Sequence, residues 1–446
     1  MCHICDPVGT RVTENNMIQK ESITFGDLGV SLDLLKVLNA KKLIHPTPIQ
    51  EKCISLGFAG KDIVGIAQTG TGKTLAFGLP AIEHIRKNHG KCIVMLPTRE
   101  LAIQVNDVLS GLGRQFRIKT ALLIGGVSSF PQNVALKKNP EIIIATPGRL
   151  IDHINRRNCD LRNVNFVVLD EADRMLDIGF MPQIREILKS IPNKRQTMLF
   201  SATIPTAISE LSAQYMNCPT RIEASPSGTS APNIKQEAYI IYSEEKQPLL
   251  KMIIQENNGG SVLVFTRTKY RAKKIASVLR QFDISAVEMH SNRSLAQRKS
   301  ALDGFKSGKF QVLVATDVAA RGLDIDDISL VVNLDLPGSS EDYVHRIGRT
   351  GRAGKSGRAV SFVEPNEKFK IKQIERLMKK SIRIIQGPQN LPRLEVPEPP
   401  RQNFARPSRP EKFEWGRNKK PSQQKVHSYG RNKKRFSQTQ RSRKQW

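Results

Sequence analysis

The chain has 446 residues, too many for one ordinary core and suited to about two to three domains, and 39% of them are hydrophobic, enough for real cores. No apolar stretch reaches the ~18 residues a membrane span needs, and the N-terminus lacks the apolar core and cleavage site of a secretory signal. The 70 Lys and Arg outnumber the 41 Asp and Glu and leave a formal charge of +29, which points to a polyanionic partner, nucleic acid first. Charge alone does not separate RNA from DNA or from anionic lipid.

Residues 1–22 read as a flexible leader. Cys2-His3-Ile4-Cys5 has metal-like spacing but no second ligand pair nearby, so no zinc site is expected. Cys53, Cys92, Cys159 and Cys218 are scattered singly among apolar stretches, as buried thiols in a reducing compartment are, which points to a cytoplasmic protein.

From there short apolar runs alternate with helix-like stretches: Ile63–Ile66, Cys92–Leu96, Ala121–Ile124, Glu141–Ala145, Phe166–Leu169 and Thr197–Phe200. Continuous apolar runs of this length, spaced by helices, predict buried strands of a parallel sheet. The first run leads into Ala67-Gln68-Thr69-Gly70-Thr71-Gly72-Lys73-Thr74 and then a helix-like stretch. Glycines let such a loop wrap a phosphate, with backbone N–H groups and the helix N-terminus facing the anion. Lys73 would reach the β- and γ-phosphates of a nucleotide, and the Thr74 hydroxyl would sit on Mg²⁺. The second half of such a site belongs at the end of a later strand. Phe166–Leu169 runs into Asp170-Glu171-Ala172-Asp173, placing Asp170 to hold Mg²⁺ through water and Glu171 to polarise the attacking water.

The strand pattern pauses near Ser225–Pro232 and restarts with Val262–Phe265, Ala286–Met289, Val312–Ala315, Leu330–Asn333 and Ala359–Val363. This predicts an α/β protein with two parallel-sheet domains, 23–225 and 235–386, joined by a linker at 226–234. The second domain carries no phosphate loop, so one nucleotide per chain is expected, in the cleft between domains. From 387 to 446 the chain becomes proline-rich, then basic and polar with few aliphatic residues, and is expected to be a disordered basic tail.

Asp170-Glu171-Ala172-Asp173 is the signature of the DEAD-box RNA helicases, and the sequence resembles that family from about Phe25 to about Phe362. Pro46-Thr47-Pro48-Ile49-Gln50 resembles the motif through which the family reads adenine, with Lys42 and Leu43 where a glycine and an aromatic usually stand. The resemblance implies Gln50 as the adenine reader and Phe25 as the ring stacked on the base. Pro97-Thr98-Arg99-Glu100, Gly125-Gly126 and Thr146-Pro147-Gly148-Arg149 resemble segments that hold RNA phosphates, a job suited to N–H groups and arginines at strand ends. Ser201-Ala202-Thr203 resembles the family's link between ATP and RNA sites, and with Asp173 and His345 is implied to couple them.

In the second domain Arg298 and Thr316 are implied RNA contacts and Asp324 a ribose contact. His345-Arg346-Ile347-Gly348-Arg349-Thr350-Gly351-Arg352 matches the motif whose arginines, here Arg349 and Arg352, stabilise charge on the γ-phosphate. The resemblance therefore implies two tandem RecA-like domains, ATP and Mg²⁺ as cofactors and structured or ribosomal RNA as partner. The compact core with a short basic tail is similar to bacterial members in ribosome assembly or RNA turnover, which brings in ribosomal or RNA-degradation proteins. An RNA-binding or annealing protein gated by ATP, and a DNA-directed motor, remain as rival readings.

Overall fold

The computed structural model describes residues 23–68, 70–223, 234–320, 328–351 and 356–388. Fourteen strands are described. β1 (Ile63–Ile66), β2 (Lys91–Met95), β3 (Thr120–Leu123), β4 (Ile142–Ala145), β5 (Val164–Leu169), β6 (Gln196–Ser201) and β7 (Thr220–Glu223) form one seven-stranded sheet, in the order β3-β4-β2-β5-β6-β1-β7. β8 (Ile234–Ile240), β9 (Val262–Thr266), β10 (Ala286–Met289), β11 (Val312–Thr316), β12 (Leu330–Asn333), β13 (Gly357–Val363) and β14 (Arg383–Gln386) form the second, in the order β10-β11-β9-β12-β13-β8-β14. Every pairing is parallel. Position for position the two orders are the same, so the chain is one α/β lobe built twice.

Parallel strands joined by helical crossovers have both faces covered, so their residues are apolar without alternation. β4, Ile-Ile-Ile-Ala, shows it: Ile142 and Ile144 join the cluster with Phe166 and Phe200, while Ile143 and Ala145 join Val167 and Leu199 on the other face. The second lobe splits similarly, with Val262 and Val264 on one face and Leu263 and Phe265 on the other.

The sequence pattern overlooks three strands. β7 and β14 are edge strands in which most side chains are exposed. β8 reads Ile-Lys-Gln-Glu-Ala-Tyr-Ile and lies inside its sheet with partners for most of its polar groups: Tyr343 donates to Gln236 Oε1 at 3.2 Å, and Glu237 pairs with Lys235 and Arg358 at 2.9 Å, while Gln236 Nε2 is buried without a partner. The cysteine expectation holds in part. Cys53 and Cys92 are buried, whereas Cys159 is half-buried and Cys218 is exposed in a left-handed turn, its φ 42°. Cys2, Cys5, residues 226–233 of the expected linker and residues 389–446 of the expected tail lie outside the described residues, whereas Ile234 is the first residue of β8 and Gly387 N donates to the Ile240 carbonyl at 3.2 Å. No helix among the described residues is long and apolar enough to cross a membrane.

Candidate active site and nucleic-acid cleft

β1 delivers the chain to the loop and the helix Lys73–Asn88. Gly70 and Gly72 hold φ of 83° and 89°, the left-handed region a side chain disfavours. Lys73 is buried at the first helical position, its Nζ 3.2 Å from the Ala67 carbonyl and 3.6 Å from Asp170 Oδ1. Thr74 follows in the same turn, and the Thr71 hydroxyl donates to the Gln68 carbonyl at 2.8 Å. Thr69 lies outside the described residues.

The helix Pro48–Phe58 braces this loop. The Thr47 hydroxyl donates to the Thr71 carbonyl at 2.7 Å and Gln50 Nε2 to the Gly72 carbonyl at 2.9 Å, while Gln50 Oε1 accepts from Thr47 N at 2.9 Å. Both ends of the Gln50 amide are thus engaged in shaping the loop, and reading adenine would require them to exchange partners. Phe25 differs from expectation: its ring is 2% exposed and packs in the first lobe's core with Leu28, Leu34 and Ile49, offering no open face for stacking.

β5 ends in the carboxylates. Asp170 and Glu171 are buried, and Glu171 adopts φ 53°, a strained conformation for a side-chain-bearing residue. Burial pushes the Asp170 carboxyl up to about 6, against the pull of the Lys73 ammonium. Burial works to raise Glu171 too, but Arg174, donating at 2.7 Å, and Lys73 hold it below the usual carboxylate range. Asp173 connects two segments: its Oδ2 accepts from Ala202 N, Thr203 N and the Thr203 hydroxyl at 2.9–3.1 Å, and its own N–H donates to Ser201 Oγ at 3.0 Å.

A cavity of about 430 Å³ joins the lobes here. Lys73, Glu171, Asp173, Arg174 and Thr203 line it from the first, and Ser339, Asp342, His345 and Arg349 from the second. Burial lowers the His345 pKa, with Asp173 and Glu171 opposing. The turn carrying Arg349 is anchored through Arg346, which donates twice to Asp317, both at 2.6 Å, and also to Asn333 and the Asp335 carbonyl. Asp324 and Arg352 lie outside the described residues.

A second cavity, about 550 Å³, gathers Pro97, Thr98, Arg99, Gly125, Gly126, Thr146, Gly148, Arg149 and Arg298, all expected from the sequence. Thr98 and Thr146 cap the helices Arg99–Gly113 and Pro147–Asn155, so two helix N-termini face the cavity. Gly126 has φ 70° and lies so close under the Arg99 guanidinium that a side chain there would collide with it. Arg149 donates to the Val127 carbonyl at 3.1 Å, and its buried Nη1 has no protein partner. Arg298 crosses from the second lobe to Glu100 at 2.7 Å, so in this structure it bridges the lobes. Thr316 ends β11 outside this lining.

The match to known proteins is decisive. The DEAD/DEAH box helicase family matches residues 47–211, and the helicase conserved C-terminal domain matches 245–354. DEAD-box ATP-dependent RNA helicase CshA of Bacillus subtilis is 44% identical over 369 residues, 82% of this chain and 75% of that protein. The chain belongs to the DEAD-box helicase family. ATP-dependent rRNA helicase RRP3 of Yarrowia lipolytica is 40% identical over 348 residues, 77% of this chain and 72% of that one. Among solved structures, S. cerevisiae Dbp5 bound to RNA and ADP BeF3 superposes with a TM-score of 0.74 at 30% identity, covering 82% of this chain and 95% of that one. Mss116p bound to ssRNA and AMP-PNP gives a TM-score of 0.76 at 27% identity, covering 83% and 81%. Both lobes are RecA-like.

Motif reading of this DEAD-box protein overlooks the residues that hold the motifs in place. Arg174, the residue after the signature tetrad, clamps Glu171. Gln132 donates to the Ile124 and Ser128 carbonyls at 3.1 and 3.0 Å, fixing the segment around Gly125-Gly126, and His153 contacts its Oε1 at 3.3 Å. Glu100 is visible inside its motif, but its partner lies in the other lobe and no local spacing betrays the pair.

Proposed function

We propose that this chain hydrolyses ATP to ADP and phosphate between its lobes and uses the cycle to open RNA duplexes and RNA–protein contacts locally. The observation that carries it is the shared cavity in which Lys73 and Glu171 face His345 and Arg349. The loop Ala67–Gly72 wraps the phosphates with backbone N–H groups, and Lys73 supplies charge at the β- and γ-phosphates. The buried Asp170 carboxylate and the Thr74 hydroxyl in the first turn of its helix are oxygen donors of the kind Mg²⁺ takes, one or two from the protein with phosphate and water completing its shell, so Asp170 and Thr74 would hold it. When bound, Mg²⁺ neutralises charge developing on the phosphates. Glu171, kept ionised by Arg174, orients the attacking water, and Arg349, with Arg352 just beyond, stabilises the transferring phosphoryl group. Gln50 reads adenine, and Asp324 contacts ribose.

Pro97, Thr98, Arg99, Gly125, Gly126, Thr146, Gly148 and Arg149 grip one RNA strand through phosphates and sugars, joined from the second lobe by Arg298 and Thr316. A strand held bent no longer fits an A-form duplex. Asp173, bonded to the Ser201–Thr203 segment and beside His345, couples the two cavities. ATP and RNA each favour the closed lobes, so each tightens the other. Residues 23–225 and 235–386 form the two units of this cycle. The ATP-dependent names of the relatives and the RNA- and nucleotide-bound neighbours support the reading. By the same analogy the protein acts in the cytoplasm in ribosome assembly or RNA turnover, with ribosomal or RNA-degradation proteins as partners.

Glu171→Gln tests the chemistry. RNA-stimulated turnover should fall about 10²–10⁴-fold while nucleotide affinity is kept and RNA is retained with ATP. Near-normal turnover would remove Glu171 from its role. Strand displacement driven by ATP, greater on RNA than on DNA duplexes, separates a helicase from an annealing protein or a DNA motor.

A further inference from the structure

The helix Lys368–Met378, the last among the described residues, lies outside the linings of both cavities, and the function proposed above uses none of its residues. Its inner face buries Ile371, Ile374 and Met378 with Tyr343, Val344 and Ile347 of the helix Ser340–Ile347 and with Ala359 and Val363 of β13. At 3.6 residues per turn, Lys368, Lys372 and Arg376 follow one another along the opposite face, about 6 Å apart along the axis. All three are exposed, as are Lys379 and Lys380 in the turn that follows and Arg383 on the edge strand β14.

Like charges four residues apart repel, and solubility alone does not require a row of one sign. Other helices of this chain pair their exposed cations: Arg86 and Lys87 lie 3.0 and 3.6 Å from Glu83, and Lys36 lies 3.8 Å from Asp33. From Lys368 to Arg383 there are seven cations and one carboxylate, Glu375. Glu375 is turned to the backbone, where its Oε1 accepts from Ile382 N at 2.8 Å. Glu367, just before the helix, is taken by Lys370 and Arg267 at 2.8 and 3.0 Å. Among the described residues no carboxylate pairs with Lys368, Lys372, Arg376, Lys379, Lys380 or Arg383.

Six uncommitted cations on a surface fixed by a buried face answer a polyanion. The segment that carries them has one ring, Phe369. A surface for unpaired RNA sets rings among its cations, on which the bases stack. Charge with so little to stack on suits a nucleic acid whose bases are turned inward and whose phosphates face out, which is a duplex.

We infer that the outer face of this helix, with the turn and the β14 edge beside it, docks the phosphate backbone of the RNA duplex that adjoins the strand gripped in the cleft. The inference rests on the helicase reading above and adds to it an anchor that the cleft residues do not supply. Contacts of this kind ignore sequence, weaken steeply with salt, and raise the local concentration of duplex at the cleft.

The test uses the full chain with a non-hydrolysable ATP analogue and two RNAs: decauridine, and a hairpin that carries decauridine as an overhang. Lys368, Lys372 and Arg376 are replaced together by Gln, which keeps helix propensity and changes only exposed side chains. Hairpin affinity should fall at least about tenfold, and the slope of log affinity against log salt should lose about 2. Decauridine affinity, decauridine-stimulated ATP turnover and melting should stay unchanged. Lys368→Arg, Lys372→Arg and Arg376→Lys together keep the charge and should restore hairpin binding. Unchanged hairpin affinity and salt slope in the Gln variant, or equal losses on both RNAs, overturns the duplex site. So does salt-dependent binding to vesicles of phosphatidylcholine and phosphatidylserine that the Gln variant loses while hairpin affinity is kept, since the partner is then a membrane. If the unsubstituted chain binds the hairpin but not decauridine, and the Gln variant loses the hairpin, the cleft reading fails and the helix face stands.

Discussion

The two lobes share one strand order, and the likeness extends to a buried ion pair. In the first, the helix after β1 begins with Lys73, 3.6 Å from Asp170 at the end of β5. In the second, the helix Lys246–Glu256 after β8 begins with Lys246, 3.4 Å from Asp335 beyond β12, the strand equivalent to β5. What differs is the company each keeps. Lys73 meets one carboxylate and follows a glycine loop. Lys246 is wrapped by two, Asp335 and Glu364 at 2.9 Å, and Asp335 also pairs with Arg271 at 2.9 Å and accepts from Arg267 N at 3.0 Å. An ammonium neutralised twice over inside the fold has no charge to offer a phosphate. A lysine and an aspartate at these places thus make a nucleotide site only with the loop and with charge to spare. In the second lobe they make a structural knot.

Three substitutions separate the chemical from the structural use of this arrangement, and they carry the largest effects. Arg349→Ala should cut turnover about 10³–10⁵-fold with little loss of ATP affinity, because the arginine arrives from the second lobe. Correspondingly, isolated residues 1–225 should bind adenine nucleotide and barely hydrolyse it, and robust RNA-stimulated turnover by that fragment would break the two-lobe mechanism. Lys73→Ala should abolish turnover and weaken nucleotide binding at a smaller cost in melting temperature, because Asp170, whose carboxyl burial already pushes up to about 6, can take a proton in place of the lost ammonium. Lys246→Ala should do the opposite. Removing one partner of a buried ion cluster costs about 3–5 kcal/mol, which should lower the second lobe's melting transition by about 10 °C while the first lobe still binds nucleotide. Lobe-resolved melting checks this, and an unshifted transition for Lys246→Ala would mean the second pair is not a structural knot.

What could be read from sequence follows the same division. Central strands such as β4 and β5 are continuous apolar runs flanked by turn and loop chemistry, and the phosphate loop and carboxylates announce themselves because phosphate binding demands particular residues in a row. β8 escapes because its Gln236 and Glu237 look solvent-facing until Tyr343 and Arg358, far along the chain, are placed beside them. Lys246 and Asp335 carry no motif. Phe25 is a ring that the family resemblance assigns to adenine and that packing claims for the core. Contacts across the lobes, such as Glu100 with Arg298, exist only once both halves have folded.

That interlobe pair sets a smaller, sharper test. Arg298 and Glu100 are both largely buried, so Glu100→Gln leaves a guanidinium short of its counter-charge, a loss of about 1–3 kcal/mol in the closed arrangement only. The RNA concentration for half-maximal ATPase should rise about tenfold, while each lobe melts as before. Arg298→Ala should behave alike, and the double variant should cost little more than either single one, since the two share one interaction. Additive costs would show that Arg298 acts on RNA without regard to Glu100.

The smallest effect belongs to the basic segment at the end of the chain. From Arg401 onward fifteen Lys or Arg face only Glu411 and Glu414, with Phe404, Phe413, Trp415, Tyr429, Phe436 and Trp446 interspersed. Basic side chains release counterions from a nucleic-acid backbone and rings stack on unpaired bases, neither with much regard for sequence. Such a segment raises the local RNA concentration at the cleft and has no means of touching the chemical step. Ending the chain at Gln386 keeps β14 intact. That truncation should raise the RNA needed for half-maximal ATPase by up to about tenfold at low salt, progressively less as salt rises, and leave the maximal rate nearly unchanged. Equal RNA affinity with and without the tail across a salt titration would rule the tether out. A fall in maximal rate would place part of the machinery outside the two lobes and undo the comparison itself.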